Sequence, residues 1–169
     1  MRKYLNRLLD TEQAFYHLRE RTDYLATYRE VDVADAAEAI DLYVGNPADS
    51  DTEILASVAI GAGGAAHLDT GENASVDEAG TDLPRQSKGA NGTGVAVIEQ
   101  GGTYTSENTL ETVIAGSRRR QQPSGSNGSA AIPDVRLLEP GEAVQYTVTN
   151  RSGNAVDFDA TVSVVEGDQ

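Results

Sequence analysis

The residues in this chain best equipped for chemistry are carboxylates and arginines set in polar stretches. Asp49, Asp51 and Glu53 alternate with Ser50 and Thr52. Hard oxygen ligands at alternate positions open a calcium-binding loop, but the glycine of the sharp turn and the distant closing glutamate of an EF-hand are missing. The chemistry left to these three is a structural Ca2+ or Mg2+ at a surface turn; the plainer reading is a solvated acidic turn. Arg118, Arg119 and Arg120 form the one basic cluster of an acidic chain. Their planar forks fit carboxylates or phosphates in pairs. The reading assigns them to the carboxylates of an adjacent identical subunit rather than to nucleic acid, with a solvated loop as the plain alternative. Asn73, Asn91, Asn127 and Asn150 each head an Asn-x-Ser/Thr triplet, the acceptor pattern for a glycan on a displayed surface.

Other signatures fall short. His17 and His67 are the two histidines and there is no cysteine, so neither a paired-histidine spacing nor a thiolate metal site is available. No Gly-x-Ser-x-Gly elbow is present. Residues 61–66, GAGGAA, match a dinucleotide fingerprint, yet that site needs a helix to begin there and turn its amides toward a pyrophosphate. Asp69, Gly71 and Asn73 follow too soon for a helix, and the surroundings are acidic. The sequence therefore yields no catalytic residue, no organic cofactor and no enzyme assignment.

Composition narrows the setting. The 169 residues carry 27 Asp and Glu against 13 Lys and Arg, a formal net charge of −14. The lysines are Lys3 and Lys88; the other basic residues are arginine. Acid excess with lysine depletion suits a protein working in molar salt, where screening makes self-repulsion cheap; the plainer reading is an ordinary acidic protein, such as a nucleic-acid mimic. No apolar run approaches the length of a membrane span. The N-terminus shows no apolar segment of a secretory signal, so export by that route is not expected.

The elements that would carry these residues are mostly strands. In 144–148 and 156–164, Val144, Tyr146, Val148, Val156, Phe158, Ala160, Val162 and Val164 alternate with polar residues. Period two gives each run one dry and one wet face. The connection at 150–154, rich in Asn, Ser and Gly, reads as a hairpin turn. A slip of one residue would drive Asp157 and Asp159 into the core, so the register is well specified. Residues 38–44 and 54–60 alternate in the same way and read as a second hairpin-like pair. Short strands are expected near 74–76, 95–98, 104–105 and 109–114, and an exposed loop at 117–129. Residues 1–28 read as a helix: Met1, Tyr4, Leu8, Phe15, Leu18 and Leu25 lie on a heptad-like stripe beside six basic residues, Arg2 to Arg29. The stripe would pack either on the protein's own sheet or on a neighbouring subunit. The expected fold is mainly β: an antiparallel β-sandwich or jelly roll (residues 31–169) with an N-terminal α-helical arm (residues 1–30).

The sequence of features resembles β-sandwich and jelly-roll structural proteins of tailed viruses of halophilic archaea. The resemblance covers residues 38–166. It rests on a strand ending in Asn46-Pro47, a long Asn- and Gly-rich middle with Gly80-Thr81, the Leu138-Glu139-Pro140-Gly141 entry and the Asn150-Arg151-Ser152-Gly153 turn. The resemblance implies a non-enzymatic virion protein: capsid decoration, turret, fibre or tail-tip part. It implies a homo-oligomer whose partners are further copies and other virion proteins such as the major capsid protein, with no nucleic acid, and leaves a host receptor open. Leu8, Phe15, Leu18 and Arg118 to Arg120 are the expected subunit contacts. The competing expectation is an extracellular or cell-surface β-sandwich that binds glycans or cations.

Overall fold

The computed structural model describes residues 22–87, 94–114 and 132–168. These residues form eleven strands: β1 Thr22–Val33, β2 Glu38–Gly45, β3 Thr52–Ala62, β4 Ala66–Glu78, β5 Thr81–Asp82, β6 Arg85–Ser87, β7 Val97–Gln100, β8 Thr103–Ile114, β9 Ile132–Leu138, β10 Ala143–Asn150 and β11 Val156–Asp168. They make two antiparallel sheets. One has five strands in the order β6-β1-β11-β3-β9, the other six in the order β5-β7-β2-β10-β4-β8.

The apolar face of each sheet meets the other in one core. From the five-stranded sheet come Tyr24, Ala26, Ile54, Ala56, Val58, Ile60, Phe158, Ala160, Val162 and Val164; from the six-stranded sheet Ile40, Leu42, Val44, Leu68, Ile98, Val144, Tyr146 and Val148. A strand covered on one side must alternate, and β11 does so for its whole inner row. Phe158, Ala160, Val162 and Val164 are all at most 1% exposed, while Asp157 and Asp159 face solvent. Burying a side chain of this size contributes roughly 1.5–3 kcal/mol, so the facing rows hold the layers together. Val156, expected in the core, packs on its edge only partly buried.

The expected pairings differ from those found. The strands at 143–150 and 156–168 do not form a hairpin: β10 bonds to β2 and β4, whereas β11 bonds to β1 and β3 in the other sheet. β2 and β3 likewise lie in different sheets. Their connections are arches that carry the chain across the core. Alternation is the same for a strand whose successor lies beside it and one whose successor lies opposite, so period two alone does not separate the two cases.

Two buried asparagines build those arches. Asn46, 3% exposed, follows β2, and its amide Nδ2 donates to the Thr52 carbonyl at 2.8 Å and the Leu138 carbonyl at 2.9 Å, both in the opposite sheet. Asn150, 0% exposed, ends β10, and its Nδ2 donates to the carbonyls of Val33 and Asn154, each at 2.8 Å. One amide thus ties the layers together at each end of the β2–β10 pair. Pro47–Ser50 closes a turn through the Ser50 amide at 3.0 Å from the Pro47 carbonyl. Gly141, at φ +88°, turns the chain into β10 as Pro140-Gly141 foretells.

The helical reading of 1–28 is corrected over its last turns. Residues from Thr22 onward are strand, paired Thr22↔Glu166 through Tyr28↔Ala160 with β11. Tyr24 and Ala26 are buried while Leu25 faces outward, the alternation of a strand and not of a helical stripe. The domain boundary at residue 30 therefore falls inside β1. Residues 1–21, with Leu8, Phe15 and Leu18, lie outside the described residues. β4 and β8 are also longer than the short pieces expected, because their many Thr, Ser, Asn and Glu residues mask continuous extended chain.

Candidate interaction surfaces

Four arrangements stand out: two polar networks inside the core rim, and a polar and an apolar surface on the outer faces. At one edge of the core, the Tyr24 hydroxyl donates to Glu166 Oε1 at 2.6 Å and the Ala96 amide donates to the same oxygen at 2.9 Å. Arg85 lies with Cζ 5.4 Å from the centroid of the Tyr24 ring and donates Nη1 to the Gly94 carbonyl at 2.8 Å. A side chain at Gly94 would collide with the Tyr24 ring and the Glu166 carboxylate. Burial, and then the hydrogen bond and charge of Glu166, push the Tyr24 hydroxyl well above its ordinary pKa. Tyr24 and Glu166 are 2% and 6% exposed, so substrate has no access and the cluster acts as a latch on the core. Glu166 was within reach of sequence reasoning: it is the next inward position after Val164.

A second network bridges the layers at the β9 edge. The Tyr146 hydroxyl donates to Asp134 Oδ2 at 2.9 Å, Arg136 Nε donates to the same oxygen at 2.9 Å, and Arg136 Nη1 reaches Glu72 Oε1 on β4 at 2.8 Å. Burial and the neighbouring Asp134 raise the Tyr146 pKa, and the bond to Asp134 raises that of Arg136.

The outer face of the six-stranded sheet is polar and aromatic. Tyr43 and Tyr104 stack with centroids 5.0 Å and planes 16° apart. Beside them the Gln145 amide donates to Asp41 Oδ1 at 2.8 Å, Thr147 Oγ1 donates to the same oxygen at 3.4 Å, and Glu99 accepts the Gly80 amide at 3.0 Å. Burial and the nearby Glu99 push the Tyr104 hydroxyl up to about 12 and raise Tyr43 in the same direction. Side chains at Gly80 or Gly102 would strike the Tyr104 hydroxyl, so both glycines make room for the stack. His67 pairs with Glu111 at 3.0 Å farther along this face.

The outer face of the five-stranded sheet is different. Across its middle, cross-strand rows read Asp23–Val165–Leu55–Leu137 and Leu25–Ser163–Ser57–Val135. Leu55, Val135 and Leu137 are 42%, 59% and 56% exposed. The one charged residue in these two rows is Asp23, on β1. Charge returns at the border, where Arg29 Nη2 meets Asp157 Oδ2 at 2.8 Å. β9, which carries Val135 and Leu137, is an edge strand of its sheet.

The expected site residues distribute as follows. Asp49 sits in the turn before β3, Asp51 accepts a hydrogen bond from the Thr52 hydroxyl at 3.3 Å, and Glu53 lies within β3. Among the described residues no three His, Cys, Asp or Glu side chains converge to hold a metal ion. Asn150 is corrected as a glycan acceptor, since its amide is buried and already bonded to two carbonyls. Asn73 is exposed on β4, with φ +50° and its Nδ2 3.4 Å from Glu107 Oε2. Asn91, Asn127 and Arg118, Arg119 and Arg120 lie outside the described residues. Residues 61–66 run from β3 into β4, with no helix starting there. No helix of the described residues is long and apolar enough to cross a membrane. Comparison with known proteins finds no matching family model, no matching curated protein and no matching solved structure.

Proposed function

We propose that this chain is a non-enzymatic structural protein of a virus particle adapted to high salt, assembling with copies of itself and with other shell or tail proteins. The observation that carries the reading is the exposed leucine and valine patch of Leu55, Val135 and Leu137 on the outer face of the five-stranded sheet, on a chain of net charge −14. Copies bearing that much like charge associate most readily where neither presents charge, and contiguous exposed apolar surface marks contact sites. The strand orders add support: β1-β11-β3-β9 facing β2-β10-β4-β8 is the connectivity of a jelly roll, with consecutive strands crossing between layers. Jelly rolls recur in viral capsid proteins and also in lectins, so the connectivity by itself carries no function.

Quantitative mass spectrometry of purified particles from the source tests this reading. Hundreds of copies per particle fit a decoration, turret or shell role; a handful fit a vertex or tail role. Absence from particles defeats the proposal.

A second reading, a glycan-binding module, is favoured by one observation: the Tyr43–Tyr104 stack beside Asp41, Gln145 and Glu99. Aromatic faces with fixed polar groups alongside suit a sugar ring. Glycan-array binding that Tyr43→Ala abolishes would move the assignment to this reading.

A further inference from the structure

The apolar outer face of the five-stranded sheet needs a cover, and the chain carries a segment suited to it. We propose that residues 1–21 of a second copy lie across this face, with Phe15 and Leu18 set against Leu55, Val135, Leu137 and Val165. The proposal rests on the homo-oligomer reading above and adds to it which segment meets which surface.

Three observations support it. The first is charge. Residues 1–21 contain Arg2, Lys3, Arg7, Arg19 and Arg21 against Asp10, Glu12 and Glu20, a net +2. With 13 basic and 27 acidic residues in the whole chain, the remainder has 8 basic and 24 acidic residues, a net −16. The segment is thus the cationic part of an anionic molecule, and its apolar residues, among them Met1, Tyr4, Leu8, Phe15 and Leu18, match the exposed Leu55, Val135 and Leu137, with Asp23 as the one charge in those rows.

The second is length. As a helix, 21 residues span roughly 30 Å. Four adjacent strands at about 4.8 Å cover about 14 Å from first to last, so such a segment can cross the β1-β11-β3-β9 face with residues to spare.

The third is direction. The segment joins β1 at Thr22, already paired with Glu166, so the chain enters in the plane of the sheet. Lying back on its own sheet would require a tight reversal just before Thr22. Residues 11–21, TEQAFYHLRER, contain none of the Gly, Pro, Asn, Asp or Ser that build such reversals. A segment without such residues is suited to continuing outward, which would bring it to a neighbour rather than back onto its own sheet.

The absence of cysteine allows a direct test on the full chain. Phe15→Cys and Leu137→Cys are made separately and together, and one single variant is isotopically labelled. The singles are mixed in high salt and oxidised, and disulfide-linked species are identified by mass. The expected result is a mixed dimer joining residue 15 of one copy to residue 137 of the other. Light scattering should also show Leu137→Asp, in the otherwise unaltered chain, falling to a lower mass with its strand circular dichroism unchanged. A link within one chain of the double variant, with none between mixed singles, would overturn the proposal in favour of self-coverage. No residue 15–137 link in either experiment would overturn it outright. Neither result bears on whether particles contain the protein, so this proposal and the virion reading fail separately.

Discussion

The two sheets present the same face to each other and opposite faces to the solvent. Inside, both give rows of buried apolar side chains, interrupted on β9 by Asp134 and Arg136, with Tyr146 and Phe158 at comparable depth, 1% and 0% exposed. Outside, the six-stranded sheet carries Asp41, Glu99, Asp69, Glu111 and a tyrosine stack, while the middle of the five-stranded sheet carries Leu, Val, Ser, Thr and Ala. Bulk solvent accounts for the first surface, as salt-screened acid. It does not account for the second, because a chain so rich in Asp and Glu has ample charge to place there. The difference teaches that the interior decides whether the fold forms, and the contrast between the exteriors is where function is encoded.

The comparison can be challenged at its strongest point first. If the inner faces are equivalent, Phe158→Ala in β11 and Tyr146→Ala in β10 should each cost about 3–5 kcal/mol. Urea titration in high salt would show it, and a large inequality would mean that one sheet carries the fold alone. The next effect is one of pH and belongs to the latches and the tyrosine stack. The tyrosine hydroxyls at 24, 104 and 146 hold their protons more tightly folded than unfolded. Their contribution is complete below the unfolded pKa of about 10 and is lost as pH rises beyond it toward the folded values. Unfolding midpoints should fall above about pH 10, and the tyrosinate absorbance removed by Tyr24→Phe or Tyr146→Phe, taken as a difference from the unaltered chain, should appear only as the chain unfolds. Tyrosinate forming ahead of unfolding would show that the hydroxyls are open. The smallest effect separates the outer faces: Tyr43→Ala should lose about 0.5–1.5 kcal/mol of stacking, whereas Leu137→Asp should change folding stability by about 0.5 kcal/mol or less. Equal losses would erase the distinction between a face that braces the fold and one that waits for a partner.

How much of this was legible depends on what alternation encodes. It encodes facing, so Ile40, Leu42, Val44, Val58, Val148 and Val162 could be placed inward from sequence alone. It does not encode partnership, and both expected pairings failed for that reason. Asn46 and Asn150 read as turn residues because their side chains are short and polar. Their real work, donating to carbonyls of the opposite sheet, depends on neighbours such as Leu138 that are 92 residues away. β1 was obscured by Leu25, which fits a heptad spacing as well as an outward strand position, although Tyr24, Thr27, Tyr28, Val31 and Val33 are the types strands favour. The apolar patch on the outer face was invisible for a related cause: Leu25, Leu55, Val135 and Val165 meet only once β1, β3, β9 and β11 are aligned. The polar face was hidden likewise, since Tyr43 and Tyr104 are joined by a chain path through β4.

One consequence of the strand order concerns synthesis. β11 lies between β1 and β3, and β10 between β2 and β4. β1 and β3 therefore share no ladder until β11 emerges, nor do β2 and β4 until β10 does. At roughly 5–20 residues per second, β1 waits on the order of ten seconds on the ribosome with its hydrogen-bonding edge open. The nascent chain resembles a zip whose slider is made last. A stop codon just before β10 would leave separate ladders such as β4–β8 and β3–β9, with no strand to join them into either full sheet.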